Sequence, residues 1–368
     1  MSVQPNSGSR AIAYAWQVPN SFAYLNGQLA TEISQITTDL RLVDQGGRWL
    51  ILGFFNGPTL AIEFLEWDAA AVPTGKWQGS GNWNSNLSSA EYQELVRRAQ
   101  SEIAKGSFYQ VNVCHQFSAK WNPENSISGL FNLLFQKHPS RFATLVNITD
   151  QRLKEFGFDE IQIASASPEL YLEIGGDVIS SSPIKGTCAK GEDFLEKDIS
   201  ENIMIVDLVR NDLSKVCMTA SVEVTELLSR LELPNLDHLV STVSGNLNPG
   251  TSWSEIFEAT FPPGSVTGAP KSSALKFIKE NEPDRNIYCG AIGWIDASEK
   301  QAEIAVGIRT FWKASDELKF GAGAGITWDS NPEQEWRETE LKAEKLISIA
   351  SENTEHGNVE HGNVKEIL

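Results

Sequence analysis

Short runs of β-forming apolar residues, cut by turn signals, recur along this chain without the regular strand–helix–strand rhythm of a parallel, doubly wound sheet. Trp49-Leu50-Ile51-Leu52-Gly53-Phe54-Phe55 and Leu60-Ala61-Ile62-Glu63-Phe64 read as strands around the turn Asn56-Gly57-Pro58, and residues 1–87 as an antiparallel, β-rich region. Ser88-Ser89-Ala90-Glu91 is a capping box. It predicts a helix with Tyr92, Leu95, Val96, Ala99 and Ile103 on its apolar face, ended by Gly106. A strand is expected at 108–113, a second long helix at 196–213 and a strand at 220–224. The last third alternates strands at 289–295, 303–311 and 318–321 with a closing helix over 332–350. Such mixing predicts a large α+β architecture.

The 368 residues leave room for two or three domains, or for one large two-lobed unit. Thirty basic residues face 48 acidic ones, a net charge of −18. So negative a surface repels phosphate backbones and anionic lipid, so neither nucleic acid nor membrane is expected as a partner. An anionic small molecule would need positive charge supplied locally. No apolar run reaches the ~20 residues of a membrane span. The opening MSVQPNSGSR lacks the pattern of an export signal, and the four cysteines form no CxxC pair. Reduced thiols in a cytoplasmic protein are the expectation. The segment Glu-His-Gly-Asn-Val occurs at 355–359 and again at 360–364, within a polar stretch, 351–368, read as a disordered tail.

Four constellations carry chemistry. Asp198 and Glu201 are three residues apart in one helical segment, as are Glu335 and Glu338 in another, which puts each pair on one helix face. Two such faces meeting would form an all-oxygen site for a hard divalent cation, Mg²⁺ best. The same spacing also describes two solvated acidic faces near helix N-termini. Lys342 follows Glu338 by four residues and adds a cation to that stripe. Gly321-Ala322-Gly323-Ala324-Gly325 lets a backbone approach a ligand but lacks the spacing of a dinucleotide fingerprint. The turn-rich stretch from Pro262 to Lys271 lacks the order of a P-loop. In Ser182-Pro183-Ile184-Lys185-Gly186-Thr187, a lysine between an apolar residue and a glycine is a candidate amine nucleophile, or an ordinary loop lysine.

In this order along the chain, Phe108-Tyr109-Gln110-Val111-Asn112, Ala166-Ser167-Pro168-Glu169, Pro183-Ile184-Lys185-Gly186-Thr187 and the run from Glu201 to Leu213 resemble the chorismate-utilising enzyme family. His238 to Gly245, Gly264 to Lys271, Tyr288 to Gly293, Ile308-Arg309-Thr310, the glycine stretch and the acidic closing helix complete the likeness over roughly 88–350. The resemblance implies a two-lobed α+β chorismate-binding fold, its antiparallel sheets packed as a sandwich with helices outside. Residues 1–87 would be a β-rich part of that fold, and 88–350 the catalytic region. Within the family, Lys185 stands where anthranilate, isochorismate and salicylate synthases usually carry alanine. Gln110 stands where isochorismate and salicylate synthases carry a lysine. Both residues resemble aminodeoxychorismate synthase component I.

That likeness implies amination of chorismate at C4, giving 4-amino-4-deoxychorismate for p-aminobenzoate and folate synthesis. Mg²⁺ would be held by Glu201 and Glu338, with Asp198 and Glu335 as direct or water-mediated ligands. Lys185 would attack the ring and Glu169 would protonate the leaving hydroxyl. Arg309, Lys342, Tyr288 and backbone amides near Gly325 would hold carboxylates. Gln110, Thr267 and His238 would line the substrate, His238 either polarising a carboxylate or simply packing. Cys114-His115 is not a glutaminase nucleophile elbow, so ammonia would come from a separate glutamine amidotransferase subunit. Anthranilate synthase component I chemistry, amination at C2 with loss of pyruvate, is the alternative; a non-catalytic chorismate-binding regulator is another.

Overall fold

The computed structural model describes residues 20–232 and 236–353, so the repeated Glu-His-Gly-Asn-Val segments lie outside the described residues. Its strands are β1 (Phe22–Leu25), β2 (Gln28–Thr37), β3 (Arg48–Gly53), β4 (Thr59–Ala69), β5 (Asn84–Ser85), β6 (Gln110–Lys120), β7 (Phe142–Ile148), β8 (Ile161–Ser167) and β9 (Leu170–Gly175). They continue with β10 (Val178–Ser182), β11 (Ile184–Ala189), β12 (Glu223–Glu232), β13 (Leu236–Asn246), β14 (Gly268–Ala269), β15 (Ala291–Asp296), β16 (Gln301–Val306), β17 (Thr310–Ala314) and β18 (Glu317–Ile326). The α-helices are α1 (Ser89–Ala104), α2 (Ile127–Lys137), α3 (Glu196–Ser214), α4 (Trp253–Thr260), α5 (Lys271–Asn281) and α6 (Pro332–Ser351).

All neighbouring strands pair antiparallel. From one edge the order is β6, β18, β17, β8, β7, β1, β2, β4, β3, β15, β16, β9, β10, β13, β12. β11 follows β10 along the same side of β13, while β5 and β14 pair with the outer side of β6. The layers of the expected sandwich are thus hydrogen-bonded into one curled sheet. Its ends come together at α3, which packs on β11, β12 and β13 from one end and touches β14 at the other.

Local sequence explains the elements that position the site. Ser88 and Glu91 close the capping box of α1, and Tyr92, Leu95, Val96 and Ala99 are its buried face, as their spacing predicts. Asn331 caps α6 by accepting from the backbone of Glu333 and Gln334, and Pro332 sits where its missing N–H costs nothing. The strand expected over 303–311 is instead broken in two. Arg309, at φ 51°, turns the chain away from β9, the partner of β16, toward β8, the partner of β17. The strand expected at 220–224 begins later, because Ala220 has φ 64° and cannot sit in a ladder. α2 was not foreseen, although Ile127, Leu130, Phe131 and Leu134 recur at helical spacing as its buried face and Ser128, Asn132 and Gln136 line another side. Among the described residues no helix is long and apolar enough to cross a membrane.

Behind the site stands a buried ion pair. Arg285 and Glu282 are joined by two hydrogen bonds of 2.8 and 3.0 Å. The guanidinium also donates to the carbonyls of Val266 (3.1 Å) and Asn112 (2.7 Å) and lies 4.6 Å over the Phe55 ring. It therefore ties β6 to the loop before β14. Removing one partner of a buried pair strands the other charge, at about 3–5 kcal/mol. Arg285→Ala is expected to lower unfolding stability by about that amount, measured by urea titration; a loss under ~1 kcal/mol would show that the clamp is dispensable.

Candidate active site

Lys185 is placed by an irregularity in the pairing of β11 with β13, between Ile184 and Thr187. Gly186 supplies the positive φ, +88°, that the irregularity needs. A Cβ at Gly186 would stand 2.8 Å from Cβ of Asp198, so only glycine lets β11 rest on the first turn of α3. This contact sets Lys185 beside the acidic face of α3. Its Nζ donates to the carbonyl of Ser265 at 2.9 Å.

Glu169 lies between β8 and β9 and is 4% exposed, with Oε1 unpartnered. The Ser265 side chain is near enough to favour the charged form of this carboxyl. Burial pushes the carboxyl above the usual carboxylate range, and Lys185, Ser265, Arg309 and Lys342 offset part of that push. Ser265 therefore holds the amine through its carbonyl and bears on the charge of the acid.

The two acidic helix faces do approach each other. Lys197 Nζ lies 2.5 Å from Glu335 Oε1 and 3.8 Å from Glu201 Oε1, bridging α6 and α3. Glu335 is 2% exposed and its Oε2 has no partner. Burial raises the pKa of Glu201; Lys185 and Lys197 oppose this, while Glu335 and Glu338 add to it. Asp198 is raised in the same way, by burial and then by Glu338, although it accepts from the backbone of Leu195 at 3.3 Å. Glu338 behaves differently: burial opposes its charge, but Lys342, 2.6 Å away, with Lys197 and Lys185, holds it below the usual range. Among the described residues no three His, Cys, Asp or Glu side chains converge closely enough to hold a metal ion as they stand. The donor set nonetheless suits a hard cation, because it is all carboxylate oxygen and includes a buried one without a partner.

The remaining residues divide. Gln110, at the start of β6, is 2% exposed with Oε1 unpartnered. Gly325 packs against it: a Cβ there would lie 2.4 Å from Gln110 Nε2 and 3.4 Å from Glu201 Oε2, linking the β18 edge to α3. Lys342 Nζ donates to the Gly323 carbonyl at 3.1 Å. Arg309 is within electrostatic reach of Glu169 and His238, and its Nη1 lies 3.4 Å from Nε2 of His138. His238 is 1% exposed; Nδ1 pairs with the Thr187 hydroxyl at 2.9 Å and Nε2 has no partner. Two residues stand apart in their bonding. The Thr267 hydroxyl turns back to the carbonyls of Pro263 (3.0 Å) and Gly264 (3.2 Å). Tyr288 lays its ring against Gly321 and accepts from the Cys114 thiol at 3.8 Å, beside the Arg285 clamp.

Three contributors escaped the sequence reading. Lys197 stands one residue before Asp198 and four before Glu201, a readable signal. Ser265 lies within the turn-rich loop, where nothing distinguishes it from its neighbours. His138 is a lone histidine at the end of α2 with no sequence signal at all.

Two buried histidines, His115 and His238, and the half-buried His138 give the molecule a pH dependence. Burial lowers His115, His138 and His238 each to about 4, with the charge of Arg309 contributing at the latter two. Unfolded histidine takes up its proton near ~6.5. Between those values the unfolded chain binds more protons than the folded one, so stability falls as pH drops from about 6.5 toward 4. Urea midpoints at a series of pH values are expected to show this decline, and His138→Asn to make it shallower; an identical slope in the variant would remove His138 from the account.

Residues 61–348 match the family of chorismate binding enzymes. Anthranilate synthase component 1 of Aquifex aeolicus is 34% identical over 292 residues, 74% of this chain and 56% of that protein. Aminodeoxychorismate synthase component 1 of Salmonella typhimurium is 34% identical over 278 residues, 72% of this chain and 58% of that protein. The chain thus spans a little over half the length of these relatives. Among solved structures, anthranilate synthase component I from Streptococcus pneumoniae superposes with a TM-score of 0.69 at 23% identity, covering 89% of this chain and 90% of that one. MenF, the menaquinone-specific isochorismate synthase of Escherichia coli, gives a TM-score of 0.74 at 18% identity, covering 91% and 90%. The fold is shared with both, and by its sequence the chain belongs to the chorismate binding enzyme family.

Proposed function

We propose that the protein is the synthase component of an aminodeoxychorismate synthase, converting chorismate to 4-amino-4-deoxychorismate with ammonia from a separate glutamine amidotransferase. The observation that carries this reading is that Lys185, held by the Ser265 carbonyl, lies within electrostatic reach of buried Glu169: a candidate nucleophile beside a candidate acid. A synthase that delivers water or ammonia directly to C2 has no use for an amine there.

Glu201 and Glu338, with Asp198 and Glu335 directly or through water, would hold Mg²⁺. When bound, the ion neutralises the ring carboxylate and withdraws electron density from the diene. The deprotonated amine of Lys185 attacks C2; the double bonds shift and the C4–O bond breaks. Glu169, whose protonated form burial favours, gives its proton to the departing hydroxyl, which leaves as water. Ammonia then forms the C4–N bond while the electron pair of the C2–N bond returns to Lys185. Glu169 regains a proton from the attacking ammonia. Two easier displacements replace one hard one. Arg309 and Lys342 offer charge to the carboxylates, and Gln110 and His238 present unpartnered polar atoms to the substrate.

Incubation with chorismate, magnesium and ammonium chloride, followed by mass spectrometry, is expected to yield aminodeoxychorismate. Fluorescent anthranilate as the product would assign the chain to the alternative suggested by its likeness to anthranilate synthase component 1. Absence of any turnover would leave a binding protein. Lys185→Ala is expected to lose C4 amination by at least about 10²-fold, the lower range for a catalytic group. Trapping of a chorismate-sized adduct on Lys185 by borohydride-free quenching and intact mass would be expected for the native chain but not for this variant; an undiminished rate in the variant would eliminate the covalent step.

A further inference from the structure

We infer that Lys197 is a built-in counter-ion of the acidic pocket, which holds Glu335 and Glu201 together before a divalent cation arrives and must give way when one binds. The inference rests on the magnesium reading above and concerns what this chain's own lysine does toward that ion.

The geometry is specific. Lys197 sits on the first turn of α3, one residue before Asp198 and four before Glu201, so its side chain runs along the acidic face. Its ammonium is 2.5 Å from an oxygen of Glu335 on α6, a carboxylate that is only 2% exposed, and 3.8 Å from Glu201. Glu338 does not need this cation, since Lys342 is 2.6 Å from it. Without Lys197, then, buried Glu335 would face Glu201 with no cation between them, only Lys185 still bearing on Glu201, and the packing of α3 on α6 at the site would weaken.

The compensation is incomplete. Lys197 engages Oε1 of Glu335, while Oε2 is buried without a partner. A single positive charge on a long stem satisfies part of the pocket; a doubly charged ion that takes several oxygen ligands would satisfy more. The lysine side chain is 42% exposed, so solvent is open to the ammonium once it is displaced. Because ammonium and metal seek the same oxygens, binding of one is paid against release of the other, and the lysine lowers metal affinity while stabilising the metal-free fold.

The test is isothermal titration of the native chain, Lys197→Met and Lys197→Arg with magnesium chloride alone, with melting temperatures in EDTA and in magnesium. Lys197→Met is expected to bind magnesium about fivefold to tenfold more tightly, the equivalent of one partly buried ion pair. It is also expected to melt lower than native in EDTA and to gain more from magnesium. Lys197→Arg, which keeps the charge, should bind magnesium as the native chain does. If Lys197→Met does not fold, Lys197→Gln, neutral but still able to donate to Glu335, should show the same tightening. Native binding with equal or weaker binding by the neutral variants would overturn the counter-ion role and leave the metal site standing. No magnesium heat and no melting shift in any of the proteins would overturn the metal reading, and this inference with it.

Discussion

Four carboxylates brought into a half-buried space repel one another, and the active region of this protein exists because lysines on the same elements answer them. Lys197 lies between Glu335 and Glu201, Lys342 pairs with Glu338, and Lys185 reaches the field of Glu201, Glu338 and Glu169. At such separations the interaction between two charges is several times stronger than in water, so neither set could be removed alone without moving α3 or α6. Three lysines answer four carboxylates, so the pocket stays acidic, and an anionic ligand would be met by a bound cation and by Arg309.

Close approach is the second requirement, and it is met by glycine. Gly186 lets β11 touch α3, and Gly321, Gly323 and Gly325 leave one face of β18 bare. Along that face the Tyr288 ring, the Cys114 thiol and the Gln110 amide take the room that side chains would have filled. The catalytic candidates thus come from opposite ends of one curled sheet: Gln110 and Gly325 from the β6–β18 edge, Lys185 and His238 from β11 and β13. The Arg285 clamp holds the first of those edges to the loop that carries Ser265.

Ser265 gives this division its chemical sense. Its carbonyl fixes the amine of Lys185 and its side chain bears on the charge of Glu169, so the loop before β14 helps place the two candidate groups. Burial then favours the protonated carboxyl at Glu169. His138, by accepting from Arg309, orients a guanidinium that also bears on Glu169 and His238.

Much was legible in one dimension because it is encoded locally. The Ser88–Glu91 capping box and the three- and four-residue spacing of α1 need no tertiary contact to be read, and the spacing of Asp198–Glu201 and Glu335–Glu338 puts each pair on one helix face by helical geometry alone. Residue type likewise marked Lys185 and the glycine run, while Glu169 entered through the family resemblance alone. What the spacing left open was whether the two acidic faces meet, since that depends on how α3 and α6 pack. Only the folded chain brings Lys197 to Glu335, 138 residues away, and Lys185 to Ser265, 80 residues away. The break at Arg309 was hidden for the same reason, since long-range pairing and not local preference decides it, whereas α2 carries the apolar spacing of a helix in its own sequence.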